Sequence, residues 1–233
     1  MSKIVSSLVP IRRKVYNNPI MALETLGKLF GSLPRVKIMR LIVLNPEQCF
    51  DTVDISTRSR TARPTARREL SALQSAGMIK AKSFSKEIPA TPRKKARTKK
   101  INGWCLTPGF LYADHLKNLL IDAEFLRPDD LVQRFKKVGK IKLFLVSGVF
   151  IGDEDSRVDF LLVGDTIKKG TLDGLIRTLE AEVGKELSYA VFETQDFLYR
   201  LSMYDKLIRD ILDYPHERLI ESTQLSTQTL KNN

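Results

Sequence analysis

The chain has only two cysteines, Cys49 and Cys105, and two histidines, His115 and His216. Two cysteines cannot build the multi-bridge framework of a small secreted scaffold, and each is expected as a buried or half-buried thiol. The histidines stand far apart in sequence, which is not a metal-ligand spacing; His115 reads as structural. Nowhere do about 18 apolar residues run together, so a membrane-spanning helix is not expected. The longest apolar stretches, such as 143–151, suit a buried strand. Residues 1–20 lack the apolar segment of a secretory signal, and the cytoplasm is the expected compartment. No internal repeat occurs. Acidic residues are scarce in the front half. Residues 1–110 hold 6 Asp+Glu against 22 Lys+Arg, a net of +16, while 111–233 hold 21 against 17, a net of −4. Such an excess favours a polyanion, with nucleic acid ahead of an anionic membrane surface.

The positive charge is concentrated on two segments. Residues 61–77 have helical spacing, with Pro64 suited to a first turn and Gly77 to the position after the last. At 100° per residue, Ala66, Leu70 and Leu73 share one face, opposite Arg68, Ser71 and Ser75, with Thr65 beside them and Arg67 on the flank. The second segment, 93–100, has Arg93, Lys94, Lys95, Arg97, Lys99 and Lys100 within eight residues. It lies between two strand-like runs, 78–84 and 100–106, and reads as the basic loop of a hairpin, with Trp104 as a core anchor. Upstream, 20–31 reads as a helix. A second helix is capped by Ser32, carries Pro34 in its first turn, and runs to Asn45. A short helix over 51–59 precedes the basic one, and a helix over 109–122 follows the hairpin. Residues 1–19, with Arg12, Arg13 and Lys14, read as a loose basic arm.

The back half alternates. Helices are expected over 127–139, 171–184 and 195–212, with strands over 141–151, 158–163 and 187–192 and a short one over 218–221. This order implies a small sheet with helices packed on it. The polar end, 222–233, reads as a frayed tail.

Residues 145–165 resemble the signature of the DNA polymerase β-like minimal nucleotidyltransferases. That signature has Gly-Ser at a strand end, a short helix, then Asp-x-Asp opening the next strand. Backbone N–H groups at the helix start hold phosphates, and carboxylates at i and i+2 of a strand face one way and clamp metal ions. This chain departs from it. Val149 follows Gly148 where the serine belongs, Arg157 stands where the first Asp belongs, and only Asp159 matches. A guanidinium there repels a divalent cation. The run 187–192 offers no inward carboxylate.

Read together, these segments resemble a family of prokaryotic winged-helix regulators fused to a degenerate nucleotidyltransferase-like domain. The resemblance covers about residues 26–220. Its marks are the 34–45 helix, Arg68-Glu69-Leu70 with Leu73 and Gly77-Met78-Ile79, Gly103-Trp104, Gly148-Val149-Phe150, Val158-Asp159, Val163-Gly164-Asp165 and Tyr199-Arg200. It implies an α+β chain in four parts. These are a flexible arm (1–19), a winged helix-turn-helix domain with a connecting helix (20–122), a small α/β nucleotidyltransferase-like domain (123–221) and a flexible tail (222–233). The implied function is DNA-binding transcriptional regulation, with double-stranded DNA as partner and no enzymatic activity, catalytic residue, metal or cofactor. Thr65, Arg67, Arg68 and Ser71 enter the major groove, Arg60 and Arg63 grip phosphates, and Arg93, Lys94, Lys95, Arg97, Lys99 and Lys100 lie along the backbone or in the minor groove. Gly148 and Asp159 mark a vestigial nucleotide site. The second domain would serve a homodimer or sense a nucleotide or small-molecule effector. The alternative is a metal-dependent nucleotidyltransferase targeted by its winged helix, which needs Asp159 with Asp153 or Asp155. A third reading has the winged helix bind a protein or RNA partner.

Overall fold

The computed structural model describes residues 20–88, 96–121, 128–153, 155–222 and 225. The basic arm, Arg93, Lys94 and Lys95, and most of the tail lie outside these residues. The described residues form a mixed α+β structure with two small sheets.

The front half runs α1 (Ile20–Leu29), α2 (Leu33–Val43), β1 (Cys49–Phe50), α3 (Thr52–Arg58), α4 (Arg63–Ser75), β2 (Ile79–Ile88), β3 (Arg97–Leu106) and α5 (Ala113–Ile121). Caps explain the helix starts. The Ser32 hydroxyl accepts the Arg35 N–H that opens α2, and Asp51 Oδ1 accepts the N–H groups of Val53 and Asp54 at the head of α3. α4 has no side-chain cap and starts instead with proline in its first turn. Gly77, at φ +75°, ends it. Val36, Ile38 and Ile42 of α2, Ile55 of α3, and Ala66, Leu70 and Leu73 of α4 close one core, joined by Phe50, Ile79 and Leu120. Trp104 is half-buried against that core. On α5, Leu120 is buried while Leu111, before the helix, and Leu119 stand exposed.

The front sheet has the order β1-β3-β2, antiparallel throughout. Two expectations change here. Both strands run further toward the hairpin loop than the sequence suggests: β2 continues to Ile88, and β3 begins at Arg97. The expected thiols are instead a disulfide. Cys49 and Cys105 are directly opposed in register, with Cα atoms 4.4 Å apart and sulfurs bonded at 2.01 Å. The physical reason is β1. This two-residue strand is too short to show alternation, yet it delivers Cys49 to the close spacing of a non-hydrogen-bonded antiparallel pair.

The back half runs α6 (Pro128–Phe135), β4 (Lys140–Val146), β5 (Phe160–Asp165), α7 (Lys169–Val183), β6 (Tyr189–Phe192), α8 (Thr194–Ser202), α9 (Lys206–Asp213) and β7 (Glu217–Glu221). Its sheet order is β6-β5-β4-β7. β5 and β6 are parallel across α7, and the other pairs are antiparallel. Alternate strand residues serve two cores. Phe144, Val146, Phe160 and Leu162 pack with Phe135, Ile176 and Leu179 on one side. Leu143, Leu145, Leu161 and Val163 pack with Phe197, Ile208 and Ile211 on the other. Burial on both faces is why these strands read as unbroken apolar runs.

Two back-half elements also differ from expectation. The strand expected over 141–151 stops at Val146, and Gly148–Phe150 forms a 3₁₀ turn. The single helix expected over 195–212 is two. Tyr204, at φ 57°, breaks it, and Asp205 restarts it by accepting the N–H groups of Leu207 and Ile208.

The halves meet where α2 packs on α7. Arg40 is 1 % exposed. Its Nε donates to Leu120 O at 2.8 Å and its Nη1 to Glu182 O at 2.7 Å. Burial lowers its pKa to about 10, although the Glu182 charge opposes this. Gly184 permits the approach, since a Cβ there would fall 2.7 Å from the Arg40 backbone.

Candidate nucleic-acid interface

α4 presents the side that its periodicity predicts. Arg67, Arg68, Ser71 and Ser75 are exposed, Arg63 is exposed at the first turn, and Thr65 is half-buried. Ala66, Leu70 and Leu73 hold the opposite side in the core. The one carboxylate of the helix, Glu69, is 1 % exposed and points away from that surface. Its Oε2 accepts from Arg35 Nε and Nη2, both at 2.8 Å, and its Oε1 accepts from Arg68 Nη2 at 3.1 Å. Burial pushes the Glu69 carboxyl up, but hydrogen bonds from Arg35, Arg68 and Ser32 overcome this and hold it below its ordinary value. The Arg68 side chain stays 75 % exposed, although one end of its guanidinium, Nη2, is engaged by Glu69.

Arg60 sits elsewhere. It lies in the α3–α4 turn at φ 49°, and its Nη1 donates to Thr178 Oγ1 at 2.8 Å and Gly174 O at 3.3 Å on α7. The neighbouring Arg58 pairs with Glu186 at 3.2 Å and lies over the Phe50 ring. This turn therefore leans on the back half, a relationship that local sequence does not signal.

On the hairpin, Arg97, Lys99 and Lys100 are strand residues, all exposed. Two further exposed cations, Lys80 and Lys82, occupy β2. Sequence reading passed over them because they are spread one per two residues instead of clustered. Lys86 is engaged by Asp51 at 3.0 Å and by Asp54 at the head of α3. Burial pulls the Lys86 ammonium down, and hydrogen bonds from Asp54 and Asp51 reverse this and raise it.

In the back half Gly148 and Asp159 do meet. Asp159 is 7 % exposed. Its Oδ1 accepts the Val149 N–H and its Oδ2 the Ser188 N–H, both at 2.8 Å. The Asp159 peptide N–H donates to Ser188 O, and Asp159 O accepts from Ser147 N. Gly148 has φ +55°, and a Cβ there would collide with Asp159 Oδ1. The carboxylate thus fastens the 3₁₀ turn to the start of β6. Arg157 turns outward to Asp210 at 3.0 Å. Asp153 caps its own turn, accepting from Asp155 N and Ser156 Oγ. Among the described residues, no three His, Cys, Asp or Glu side chains gather as a metal site. No described helix is long and apolar enough to cross a membrane. No family model matches the chain, and neither does any curated protein or solved structure.

Proposed function

We propose that the chain is a DNA-binding transcriptional regulator of winged helix-turn-helix type. In this reading α3 and α4 are the helix-turn-helix, α4 enters the major groove, and the β2–β3 hairpin is the wing. The observation that carries it is the outward side of α4. Arg67 and Arg68 project from it, Ser71 and Ser75 keep it low, and its only acidic group is buried and neutralised by Arg35. A 13-residue helix is about 20 Å long and fits a groove about 12 Å wide. Long donors reach base edges there, while short hydroxyls allow close approach.

The back half is then a nucleotidyltransferase-like scaffold, used for dimerisation or for sensing a ligand. Both oxygens of Asp159 already accept backbone N–H groups, which supports a structural role over metal-dependent transfer. The test is selection of genomic fragments by the purified chain in dilute buffer. Enrichment of discrete duplex fragments is the expected result. Failure to retain any duplex at low salt rejects the reading.

A further inference from the structure

α2 turns different sides to its two neighbours. Arg35 is tied to Glu69 of α4, while Lys37, about 200° further round the helix, lies on the side toward α7. Four cations converge on that seam. Arg134 of α6 engages Asp130 and Glu182, each at 2.7 Å. Arg60 reaches Thr178 and Gly174 O of α7, and Arg40 donates to Glu182 O. Lys37 is half-buried among them, and it pairs with no carboxylate among the described residues.

The charges at this seam do not cancel. Lys37, Arg40, Arg60 and Arg134 stand against two carboxylates, Glu182 and Asp130, and Arg134 already engages both. Burial lowers the Lys37 ammonium below its ordinary value; the Glu182 charge opposes this, and Arg60, Arg134 and Arg40 add to the lowering. A half-buried cation among cations weakens the fold unless an anion joins it. There is room for one. Gly174 is exposed in the middle of α7, where glycine is less favourable than alanine, and a Cβ there would meet nothing within 4 Å. Packing therefore does not call for this glycine, and its bare backbone leaves α7 open beside Arg60 and Thr178.

We propose that this seam binds the phosphate group of a small phosphorylated ligand, held against α7 by Lys37, Arg60 and Arg134. The proposal takes up the ligand-sensing reading of the back half and does not depend on DNA binding. A phosphate monoester carries close to two negative charges at neutral pH, which matches the surplus. Guanidinium forks and an ammonium are the donors that suit its oxygens. Lys37 and Arg134 are recessed between helices, on the side of α2 turned away from α4, which suits a small ligand over a duplex backbone. A ligand there joins α2 and the α3–α4 turn to α7, and so fastens the two halves together.

The test is thermal unfolding of the full chain, without DNA, as inorganic phosphate replaces chloride at constant ionic strength. The parent should gain stability saturably, which yields a Kd. Lys37→Gln should raise that Kd about tenfold or more, the scale of one charge-assisted hydrogen bond, and Lys37→Arg should largely restore it. Lys206→Gln, on the other side of the back sheet, should leave it unchanged. In chloride alone, Lys37→Gln should unfold no earlier than the parent, since it removes an unpaired cation. No saturable gain in the parent overturns the proposal, as does an equal effect from Lys206→Gln. Earlier unfolding of Lys37→Gln in chloride, with its phosphate response intact, makes Lys37 structural and also overturns it. So does a Lys37→Gln change of about 0.9 in the slope of log K against log salt on random duplex DNA, which would assign this cation to the DNA backbone. A parent that retains duplex but shows no saturable phosphate response loses the site and keeps the proposed function. A parent that responds to phosphate and retains no duplex does the reverse.

Discussion

Cys49 and Cys105 face each other across β1 and β3, and their disulfide closes a loop that holds α3, α4 and the β2–β3 hairpin. Every residue read as a DNA contact lies between those two cysteines. For a sequence separation of 56, chain-entropy reasoning assigns the bond about 4 kcal/mol. Urea unfolding of the oxidised chain against Cys49→Ser with Cys105→Ser should show a loss of that order. Coincident unfolding curves would contradict the staple.

Glu69 ties α4 to α2 through Arg35. Its folded carboxyl lies below the ordinary value of 4.5. The stabilisation is therefore complete above about pH 4.5 and is lost as pH falls through the lower folded value. Glu69→Gln should cost about 2 kcal/mol at neutral pH, the scale of a charge-assisted hydrogen bond. That cost should shrink as pH falls below about 4.5 and through the lower folded value. Thermal unfolding of both chains between pH 7 and pH 3 checks it. A difference that stays constant with pH would assign the effect to packing alone.

Gly148 and Asp159 should behave as a coupled pair. Gly148→Ala forces a side chain into left-handed backbone and into the carboxylate, at about 2 kcal/mol or more. Asp159→Asn sets an amide donor against one of two backbone N–H groups, costing about 1–3 kcal/mol. Gly148→Ala combined with Asp159→Ala should cost less than the sum of Gly148→Ala and Asp159→Ala measured singly, since the clash with the carboxylate disappears. Strict additivity in urea unfolding would contradict the shared contact.

Arg68 separates reading from gripping. If it meets base edges, Arg68→Ala should weaken binding to a selected fragment by about 1–3 kcal/mol and binding to random duplex by less. Equal losses on both duplexes, measured by anisotropy at one salt concentration, would make it a phosphate contact only.

The sequence carried the helix faces well. On α4, Ala66, Leu70 and Leu73 are buried and Arg68, Ser71 and Ser75 exposed, because 3.6-residue periodicity survives in a helix packed on one side. The back-half strands were legible as apolar runs, but their ends were not. Gly148 takes a left-handed turn that only the Asp159 contact explains, and Tyr204 breaks a helix whose apolar period continues. The disulfide was hidden because its first cysteine lies on a two-residue strand. That Lys80 and Lys82 share one side of the hairpin with Arg97 and Lys99 was hidden because it depends on register, which pairs positions some twenty residues apart. Arg60 looked like a phosphate contact by position, while in the fold its guanidinium reaches α7.

The most direct test of the account is the affinity of the purified, oxidised chain for duplex DNA as salt is varied. With about six cations meeting phosphates, log K should fall against log salt with a slope near −5. A flat line, or no binding in dilute buffer, would contradict the claim that the exposed cations of α4 and its hairpin have a polyphosphate partner.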